Sequence, residues 1–192
     1  MTDEVTFIKK LQNTNDKELA FKELITQYKE RLYWHIRKIV ISHDDADDVL
    51  QNTFIKIYKN IHKFKQDSKL YSWMYRIATN EAITFLRKRA KQHHVSIENY
   101  QQELIGNLQD DTFFTGDEIQ LILQKAIATL PQKQQLVFNM KYFDDLKYQE
   151  ISEIVETSVG SLKASYHHAV KKIEAYIRNN KLIIKPFLKK NV

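Results

Sequence analysis

The scarcity of residues that interrupt helices is the feature that most constrains the fold of this chain. Only 3 Gly and 2 Pro occur among 192 residues, while patterns with apolar residues at helical spacing dominate the sequence. Because Gly and Pro mark turns and helix ends, long stretches without them favour uninterrupted helices. With a hydrophobic content of 43%, enough for packed cores, the sequence predicts an all-α protein.

Composition also excludes several classes of site. The chain has no cysteine, which rules out disulfides, thiolate metal sites and cysteine nucleophiles. Its first ten residues, MTDEVTFIKK, contain acids and no apolar run, so they do not predict a secretory signal. No window approaches the roughly 18 apolar residues of a membrane span. We therefore expect a cytoplasmic protein without membrane insertion.

Charge is distributed unevenly along the chain. The net charge of +6 points only weakly to a polyanionic partner, but LRKRAK at 86–91 carries four basic residues and no acid. Residues 163–190 are also basic, with Glu174 as their one acid, and an acidic stretch lies between the two basic segments. This order is typical of two cationic units and a connector.

The predicted organisation follows from this charge order and from the helical patterns. We predict a first helical domain at 1–91, a flexible linker at 92–117 with at most a short ordered turn, a second helical domain at 118–180, and a basic tail at 181–192. The linker has mixed polarity and holds two of the three glycines. Helices are expected over 16–41, 44–61 and 71–91, then from about Glu118, with Pro131 at the first position of a further helix.

The stretch DDLKYQEISEIVETSVGSLKASYHHAVKKI, residues 144–173, predicts a helix-turn-helix. A short helix at 147–155 is followed by a turn in which Ser158 can cap the second helix. That helix has an apolar seam on one face, formed by Leu162, Tyr166, Ala169 and Ile173. Its opposite face carries Lys163, Ala164, His167 and Lys171. Such a helix suits the major groove of DNA, although an ordinary helical hairpin with a solvated basic face has the same pattern.

A second basic helix lies earlier, at 71–91. Its predicted core face consists of Tyr71, Met74, Ala78, Ala82 and Phe85. Its other face presents Trp73, Arg76, Asn80, Thr84 and Arg87, and the preceding loop adds Phe64, Lys65, Ser68 and Lys69. Aromatic rings stack on unpaired bases and arginines hold phosphate, so this face suits single-stranded nucleic acid. In the alternative interpretation, Trp73 is a rim residue that packs on a neighbouring helix.

The helix at 44–61 begins with the acidic segment SHDDADD, where Ser42 or Asp44 can cap. It is expected to bury Leu50, Phe54, Ile57 and Ile61. Its other face offers Asp48, Gln51, Asn52, Ile55 and Tyr58, a mixture that favours protein docking. The clustered carboxylates also raise the alternative of a divalent-metal nuclease, but no partner ligand has a recognisable metal spacing. We therefore predict no metal, no cofactor and no catalytic residue.

These segments, in this order, resemble a known family. Residues 44–89 resemble region 2 of bacterial RNA polymerase sigma factors, and residues 129–177 resemble region 4. The succession of DADDVLQNTFIKIYKN, FKQDSKLYSWMYRIATNEAITFLRKR and the region around the helix-turn-helix is similar to the extracytoplasmic-function (ECF) group of the sigma-70 family.

The resemblance implies three roles. The acidic helix would dock on the clamp coiled coil of the largest polymerase subunit, with Asp47, Asp48, Gln51 and Phe54 matching the family motif. Strand capture at the −10 element would fall to Phe64, Asp67, Ser68, Trp73, Arg76 and Asn80. Recognition of the −35 duplex would fall to Ser161, Lys163, Ala164 and His167.

Some positions depart from the family pattern. Asn52 stands where the family usually has Glu, and Gln66 where Gly is common. Ala164, Ser165 and His168 replace residues that often carry a hydroxyl group or are Arg, so the recognition surface is less cationic than usual.

The predicted function is a non-enzymatic promoter-specificity subunit with RNA polymerase core (clamp coiled coil and flap) and promoter DNA as partners. An anti-sigma factor is a further candidate partner, because such regulators are common in the group, although nothing in the sequence identifies one. A helix-turn-helix regulator that never docks on polymerase is the main alternative, and a nuclease using Asp44 to Asp48 is the other.

Overall fold

The computed structural model of the chain describes residues 4–106 and 118–179. Within those ranges every regular element is helical, which confirms the all-α prediction. A 3₁₀ turn, Ile61–Lys63, follows the third helix. The α-helices are α1 (Glu4–Gln12), α2 (Lys17–Val40), α3 (His43–Asn60), α4 (Leu70–Gln92), α5 (Ile97–Gly106), α6 (Glu118–Ala128), α7 (Gln132–Tyr142), α8 (Tyr148–Val155) and α9 (Val159–Asn179).

The helices belong to two compact units. Among the described residues, those up to Leu86 belong to the first unit, and most of those from Arg87 onward belong to the second. The predicted fold class of two helical domains is therefore confirmed, while the predicted domain bounds stay predictions. The tail at 181–192 and much of the predicted linker lie outside the described residues.

α2 and α3 form an antiparallel pair at the centre of the first unit. The ring of Phe21, near the start of α2, meets the ring of Tyr58, near the end of α3, at 4.9 Å between centroids. Leu24, Leu32 and Ile36 of α2 are fully buried, as is Ile57 of α3. This packing leaves the opposite side of α3 open along its length.

The junction between α2 and α3 holds a strained residue. Ile41 has a φ of 70°, a backbone conformation that β-branched residues rarely adopt, and its side chain is buried. The N–H of Ser42 donates to the Val40 carbonyl at 2.9 Å, which closes the tight turn. Ser42 then caps α3 by accepting from the Asp45 N–H at 3.4 Å, as predicted. The burial of Ile41 holds this turn and so fixes where α3 begins.

α4 packs on α2 through a buried polar pair. His35 Nε2 lies 2.8 Å from Thr79 Oγ1, and Thr79 Oγ1 donates to the Tyr75 carbonyl at 2.8 Å. Because the hydroxyl proton is used on that carbonyl, Thr79 accepts from an Nε2–H of His35. The buried stripe of α4 is consequently rotated from the predicted one: Met74, Ala78 and Ala82 are buried as expected, but Tyr75 and Leu86 replace the half-buried Tyr71 and Phe85.

Two helices were not anticipated from the sequence. α1 buries Phe7, Ile8 and Leu11, and it packs against α2 and the 3₁₀ turn. α5 occupies part of the segment interpreted as a linker with at most a short turn. The Ser96 hydroxyl accepts from the Asn99 N–H at 3.1 Å, which starts α5. α5 packs against α6 and buries Tyr100 and Ile105.

The second unit is built around α9. α6 and α7 both pack on α9, and the core cluster comprises Ala126, Ile127, Leu130, Phe138, Ala169 and Ile173. The ring of Phe138 stacks on that of Tyr166 at 5.8 Å between centroids, joining α7 to α9. Pro131 stands one residue before α7, at its N-cap, rather than at its first position. The core thus buries one side of α9 and leaves its other side exposed.

Candidate functional sites

The outer face of α3 is the first candidate site. Asp48, Gln51, Asn52 and Ile55 are exposed, whereas Asp47 and Tyr58 are half-buried. Phe54, which also matches the docking motif, is only 9% exposed and belongs to the core. Ile55 is 50% exposed, unusually open for a large apolar side chain in a helix with a buried face. The helix therefore presents carboxylate, amide and apolar groups side by side, as predicted.

A groove runs beside this face, between α2 and α3. It has a volume of about 500 Å³ and is lined by Phe21, Ile25, Lys29, Asp47, Leu50, Gln51, Phe54, Ile55, Tyr58 and Lys59. The Lys17 ammonium lies 3.9 Å from the centroid of the Tyr58 ring, a cation–π contact that holds this ring in place. One wall thus comes from α2, whose Phe21 and Ile25 the sequence reasoning did not select. In the sequence, Phe21 and Ile25 are apolar residues at i, i+4 spacing, which indicates a second apolar stripe on α2 beside the core positions Ala20 and Leu24.

The loop at 64–69 and the start of α4 form the second candidate site. Lys65, Gln66, Asp67 and Lys69 are exposed and Ser68 is half-buried. Phe64 is 6% exposed, and its ring lies 5.2 Å from that of Trp73 with a tilt of 41°. Phe64 therefore supports Trp73 from below and does not open to solvent itself. Trp73 is the ring of this pair that reaches the surface, where it is half-buried.

Three predicted residues follow Trp73 along α4. Arg76 is half-buried and Asn80 is exposed, and helical spacing aligns both with Trp73. Arg87 continues the same spacing and is exposed, but it lies beyond Leu86, where the first unit ends. The first unit thus brings an aromatic ring, a guanidinium and an amide to one helix face.

The 64–69 loop also contains a residue in an unfavourable conformation. Gln66 has a φ of 61°, in the left-handed region that glycine adopts most readily. This is the position at which the sequence departs from the family by replacing Gly with Gln. The loop therefore keeps a left-handed turn at a residue with a side chain, for which this backbone conformation is less favourable than for glycine.

The helix-turn-helix is the third candidate site. Ile151, Ile154, Leu162, Ala169 and Ile173 are buried, and Tyr166 is half-buried, which confirms the predicted seam. The turn is closed by the Ser152 hydroxyl, which donates to the Thr157 carbonyl at 2.7 Å. Ser158 caps α9 by accepting from the Ser161 N–H at 3.4 Å. Opposite the seam, Lys163, Ala164, His167 and Lys171 are exposed, and Ser161 is half-buried at the start of α9.

Comparison with protein families decides what these sites belong to. Residues 24–92 match the family model for sigma-70 region 2, and residues 120–173 match that for sigma-70 region 4. The first match contains α3, the 64–69 loop and α4, and the second contains the helix-turn-helix. The chain belongs to the sigma-70 family.

Similar sequences indicate which group of this family the chain belongs to. The ECF RNA polymerase sigma factor SigW of Bacillus subtilis is 29% identical over 168 residues, which cover 83% of this chain and 90% of the relative. The ECF RNA polymerase sigma-E factor of Escherichia coli is 29% identical over 182 residues, covering 91% and 93% of the two chains. The chain is thus a sigma-70 family member of the ECF group.

Solved structures share its fold. CnrH in complex with the cytosolic domain of CnrY has a TM-score of 0.68 and 16% identity, covering 93% of this chain and 99% of the other. The sigma factor RpoE in complex with the anti-sigma factor NepR from Bartonella quintana has a TM-score of 0.63 and 19% identity, covering 84% and 98%. At these identities the likeness concerns the fold.

The helix-turn-helix of this sigma-70 family member has cationic neighbours that the sequence reasoning missed. The Lys133 ammonium, on α7, donates to Ser161 Oγ at 3.4 Å. Lys141 and Lys163 lie 5.8 and 6.0 Å from the centroid of the Tyr148 ring. α7 therefore contributes cations beside the first half of α9. No local pattern in the sequence signals this approach, because it depends on how α7 packs on α9.

Burial shifts the pKa of two tyrosines near these lysines. It raises the pKa of Tyr148 above its ordinary value and likewise that of Tyr166, for which the neighbouring Tyr148 and Tyr142 add a smaller effect. Both side chains therefore stay neutral near pH 7. They serve as packing groups: their rings meet edge to face at 6.3 Å between centroids, and Tyr166 also stacks on Phe138.

Neither a metal centre nor a membrane span is found in the described part of the chain. Across residues 4–106 and 118–179, no three His, Cys, Asp or Glu side chains are grouped so that they could hold a metal ion. No helix in those ranges combines the length and the apolar composition needed to cross a bilayer.

Proposed function

We propose that this chain is a promoter-specificity subunit, which binds core RNA polymerase, directs it to promoters and performs no catalysis of its own. The observation that carries the proposal is that one chain exposes three surfaces of different chemistry. α3 offers carboxylates, an amide and Ile55; α4 offers Trp73 with Arg76 and Asn80; α9 offers Lys163 and His167. A stand-alone helix-turn-helix regulator needs only the last of these.

Polymerase is the proposed partner of the α3 face. Asp47, Asp48, Gln51, Asn52, Ile55 and Tyr58 would meet the clamp coiled coil of its largest subunit. Ile55 is suited to anchor the contact because it is half-exposed, and moving apolar surface from water into an interface lowers the free energy of the complex. The surrounding carboxylates and amides would form the polar rim, which steers association and fixes the register of the two surfaces. The second unit would meet the flap of the polymerase.

Single-stranded DNA is the proposed ligand of the loop and α4. An unpaired base of the −10 element would stack on Trp73, and Asn80 would bond a base edge. Arg76, Arg87, Lys65 and Lys69 would neutralise phosphates, while Ser68 and Asp67 would line the cup around the base. Because Phe64 is buried beneath Trp73, its proposed part is to hold that ring.

Duplex DNA is the proposed ligand of α9. Lys163, Ala164, His167 and Lys171 are exposed on one side of a helix whose other side is core, so they would enter the major groove at the −35 element. Ser161 would lie at the entry of this helix. Ala164 has no polar group to offer a base edge, and its small side chain would allow close approach or contact with a thymine methyl group.

The remaining proposals concern organisation and regulation. We propose a region 2-like domain at 1–91, a linker at 92–117 of which α5 is an ordered part, a region 4-like domain at 118–180 and a tail at 181–192, acting in the bacterial cytoplasm. Both structural neighbours are described with a bound partner, in one case an anti-sigma factor. An anti-sigma factor is therefore a candidate regulator here as well.

Pull-down on immobilised core polymerase tests the docking proposal. Ile55→Asp should abolish most binding because it places a charge at the anchor. Leu19→Asp is a matched control, since Leu19 is 78% exposed on α2 and does not line the groove. A chain that binds promoter DNA but never core polymerase would support the stand-alone regulator instead.

A further inference from the structure

The helix α1, which had no role in the sequence reasoning, holds one end of the 64–69 loop. The side-chain amide of Gln12, at the last position of α1, donates to the Ile61 carbonyl at 3.0 Å and to the Phe64 carbonyl at 2.9 Å. Both protons of this amide group are therefore used where the 3₁₀ turn gives way to the loop. The Ile61 carbonyl also accepts from the Phe64 N–H at 3.1 Å, which closes the 3₁₀ turn, so Gln12 gives it a second donor. Gln12 also supplies a donor to the Phe64 carbonyl, which lies past the end of the turn.

The other end of the loop is held by the first residue of the same helix. Glu4 Oε1 accepts from the Leu70 N–H at 3.1 Å. Leu70 begins α4, where backbone N–H groups have no partner within the helix and a carboxylate is favoured by the helix dipole. α1 thus bridges the two ends of a loop whose own side chains are mostly exposed.

α1 can serve as a fixed brace because it is itself anchored. Phe7, Ile8 and Leu11 are buried, and α1 packs against α2 and the 3₁₀ turn. Glu4 and Gln12 stand at opposite ends of this helix, so their two contacts set the distance that the loop must span. Movement at either end of the loop would require breaking a contact to α1.

We infer that Glu4 and Gln12 are positioning residues for single-strand capture, an inference that rests on the proposed function of the loop and α4. Neither side chain reaches the proposed site. Both act through the loop backbone, which keeps Lys65, Ser68 and the Phe64–Trp73 pair arranged before DNA arrives. A loop that is already ordered has less conformational freedom to lose on binding, so the strand binds more tightly.

The test uses the full chain with Gln12→Ala, Glu4→Ala and Glu4→Gln. The probe is a short, labelled single strand of random sequence, with its duplex form and core polymerase measured in parallel. Gln12→Ala and Glu4→Ala should each weaken single-strand binding about three- to tenfold, as expected when hydrogen bonds are removed. Glu4→Gln keeps an acceptor oxygen and should retain most of the affinity. Duplex and core affinities should stay within about twofold of those of the unmutated chain.

Glu23→Gly separates positioning from general destabilisation. Glu23 is exposed in the interior of α2, so glycine there costs about as much stability as the removal of a hydrogen bond and leaves the loop untouched. It should lower the melting temperature like Gln12→Ala without weakening single-strand binding. If Glu23→Gly weakened that binding equally, or if Gln12→Ala left it unchanged, the positioning role would be wrong.

Amide hydrogen exchange distinguishes failure of the positioning role from failure of the proposed function. Glu4→Ala should speed exchange at Leu70 about tenfold or more, because its N–H loses its acceptor, whereas Glu23→Gly should not. If the unmutated chain did not bind the strand, the proposed function would fail. Unchanged exchange at Leu70 would instead overturn the brace itself.

Discussion

The ring of Phe64 packs against the ring of Trp73 with their centroids 5.2 Å apart, yet only Trp73 reaches the surface. The buried ring closes the core at the start of the loop, and the half-buried ring lies on top of it. One aromatic pair therefore links the stability of the first unit to the surface proposed to hold an unpaired base.

Substitutions of the two rings should separate these roles. Trp73→Ala should weaken single-strand binding by about 1–3 kcal/mol, the usual contribution of a stacked base. Phe64→Ala should instead cost about 3–5 kcal/mol of the free energy of unfolding, because it empties a core position. Urea denaturation and single-strand titration of both variants provide the check. A Trp73→Ala variant that bound the strand as tightly as the unmutated chain would exclude stacking on Trp73.

Replacing Gln66 by glycine should stabilise the first unit. The left-handed conformation is unfavourable by about 1–2 kcal/mol for a residue with a side chain. Glycine removes this strain, but it also loses more backbone entropy on folding, which offsets part of the gain. We expect a net gain of roughly 0.5 kcal/mol in the free energy of unfolding, measured by urea denaturation. Lys65→Gly, beside it and without a positive φ, is the control and should destabilise. A loss of stability for Gln66→Gly would contradict the conformation described for this loop.

Removing the polar groups of the α3 face should cost polymerase binding but not folding. Asp48 and Gln51 are exposed, so Asp48→Ala with Gln51→Ala should leave the helical circular-dichroism signal and the melting temperature nearly unchanged. Core affinity should fall about tenfold, equivalent to about 1.4 kcal/mol. Glu30→Ala, an exposed acid on α2 outside the groove, controls for the loss of negative charge. Undiminished core affinity in the double variant would disprove the docking assignment.

The two DNA-facing helices should respond to different probes. Lys163→Ala with His167→Ala should weaken binding to upstream promoter duplex by about 1–3 kcal/mol for each side chain that bonds a base, and should leave single-strand binding intact. Asn80→Ala should do the reverse and be partly rescued on a template already melted at the −10 element. Both variants are titrated on duplex, single-stranded and pre-melted probes at one salt concentration, because phosphate contacts depend on salt. Equal losses on every probe would mean that both helices supply only non-specific charge.

Local periodicity was enough to predict the faces of single helices. The exposed set on α3, the seam of α9 and the caps Ser42 and Ser158 all follow from residue types at helical spacing. On α4 the pattern predicted the exposed side but set the buried stripe too close to Tyr71 and Phe85. The packing of His35 against Tyr75 and Thr79 decides that rotation, and it depends on a neighbouring helix.

Features that need distant residues could not be read from the sequence. Gln12 reaches carbonyls 49 and 52 residues further along the chain, and the groove needs α2 and α3 side by side. The approach of the α7 cations to α9 is also a contact between distant residues, since Lys133 bonds Ser161, 28 residues away. α5 was missed because its mixed polarity is typical of a linker, and its packing against α6 is not visible in the sequence.

Transcription from a genomic library tests the central claim most directly. Core polymerase is combined with the chain and with fragments of the genome that encodes it, and the 5′ ends of the run-off transcripts are mapped. If the chain is a promoter-specificity subunit, a defined set of start sites should appear only when it is present. Ile55→Asp should remove those transcripts, and Leu19→Asp should leave them. The same transcripts from core polymerase alone, or none from a core complex that demonstrably contains the chain, would contradict the account.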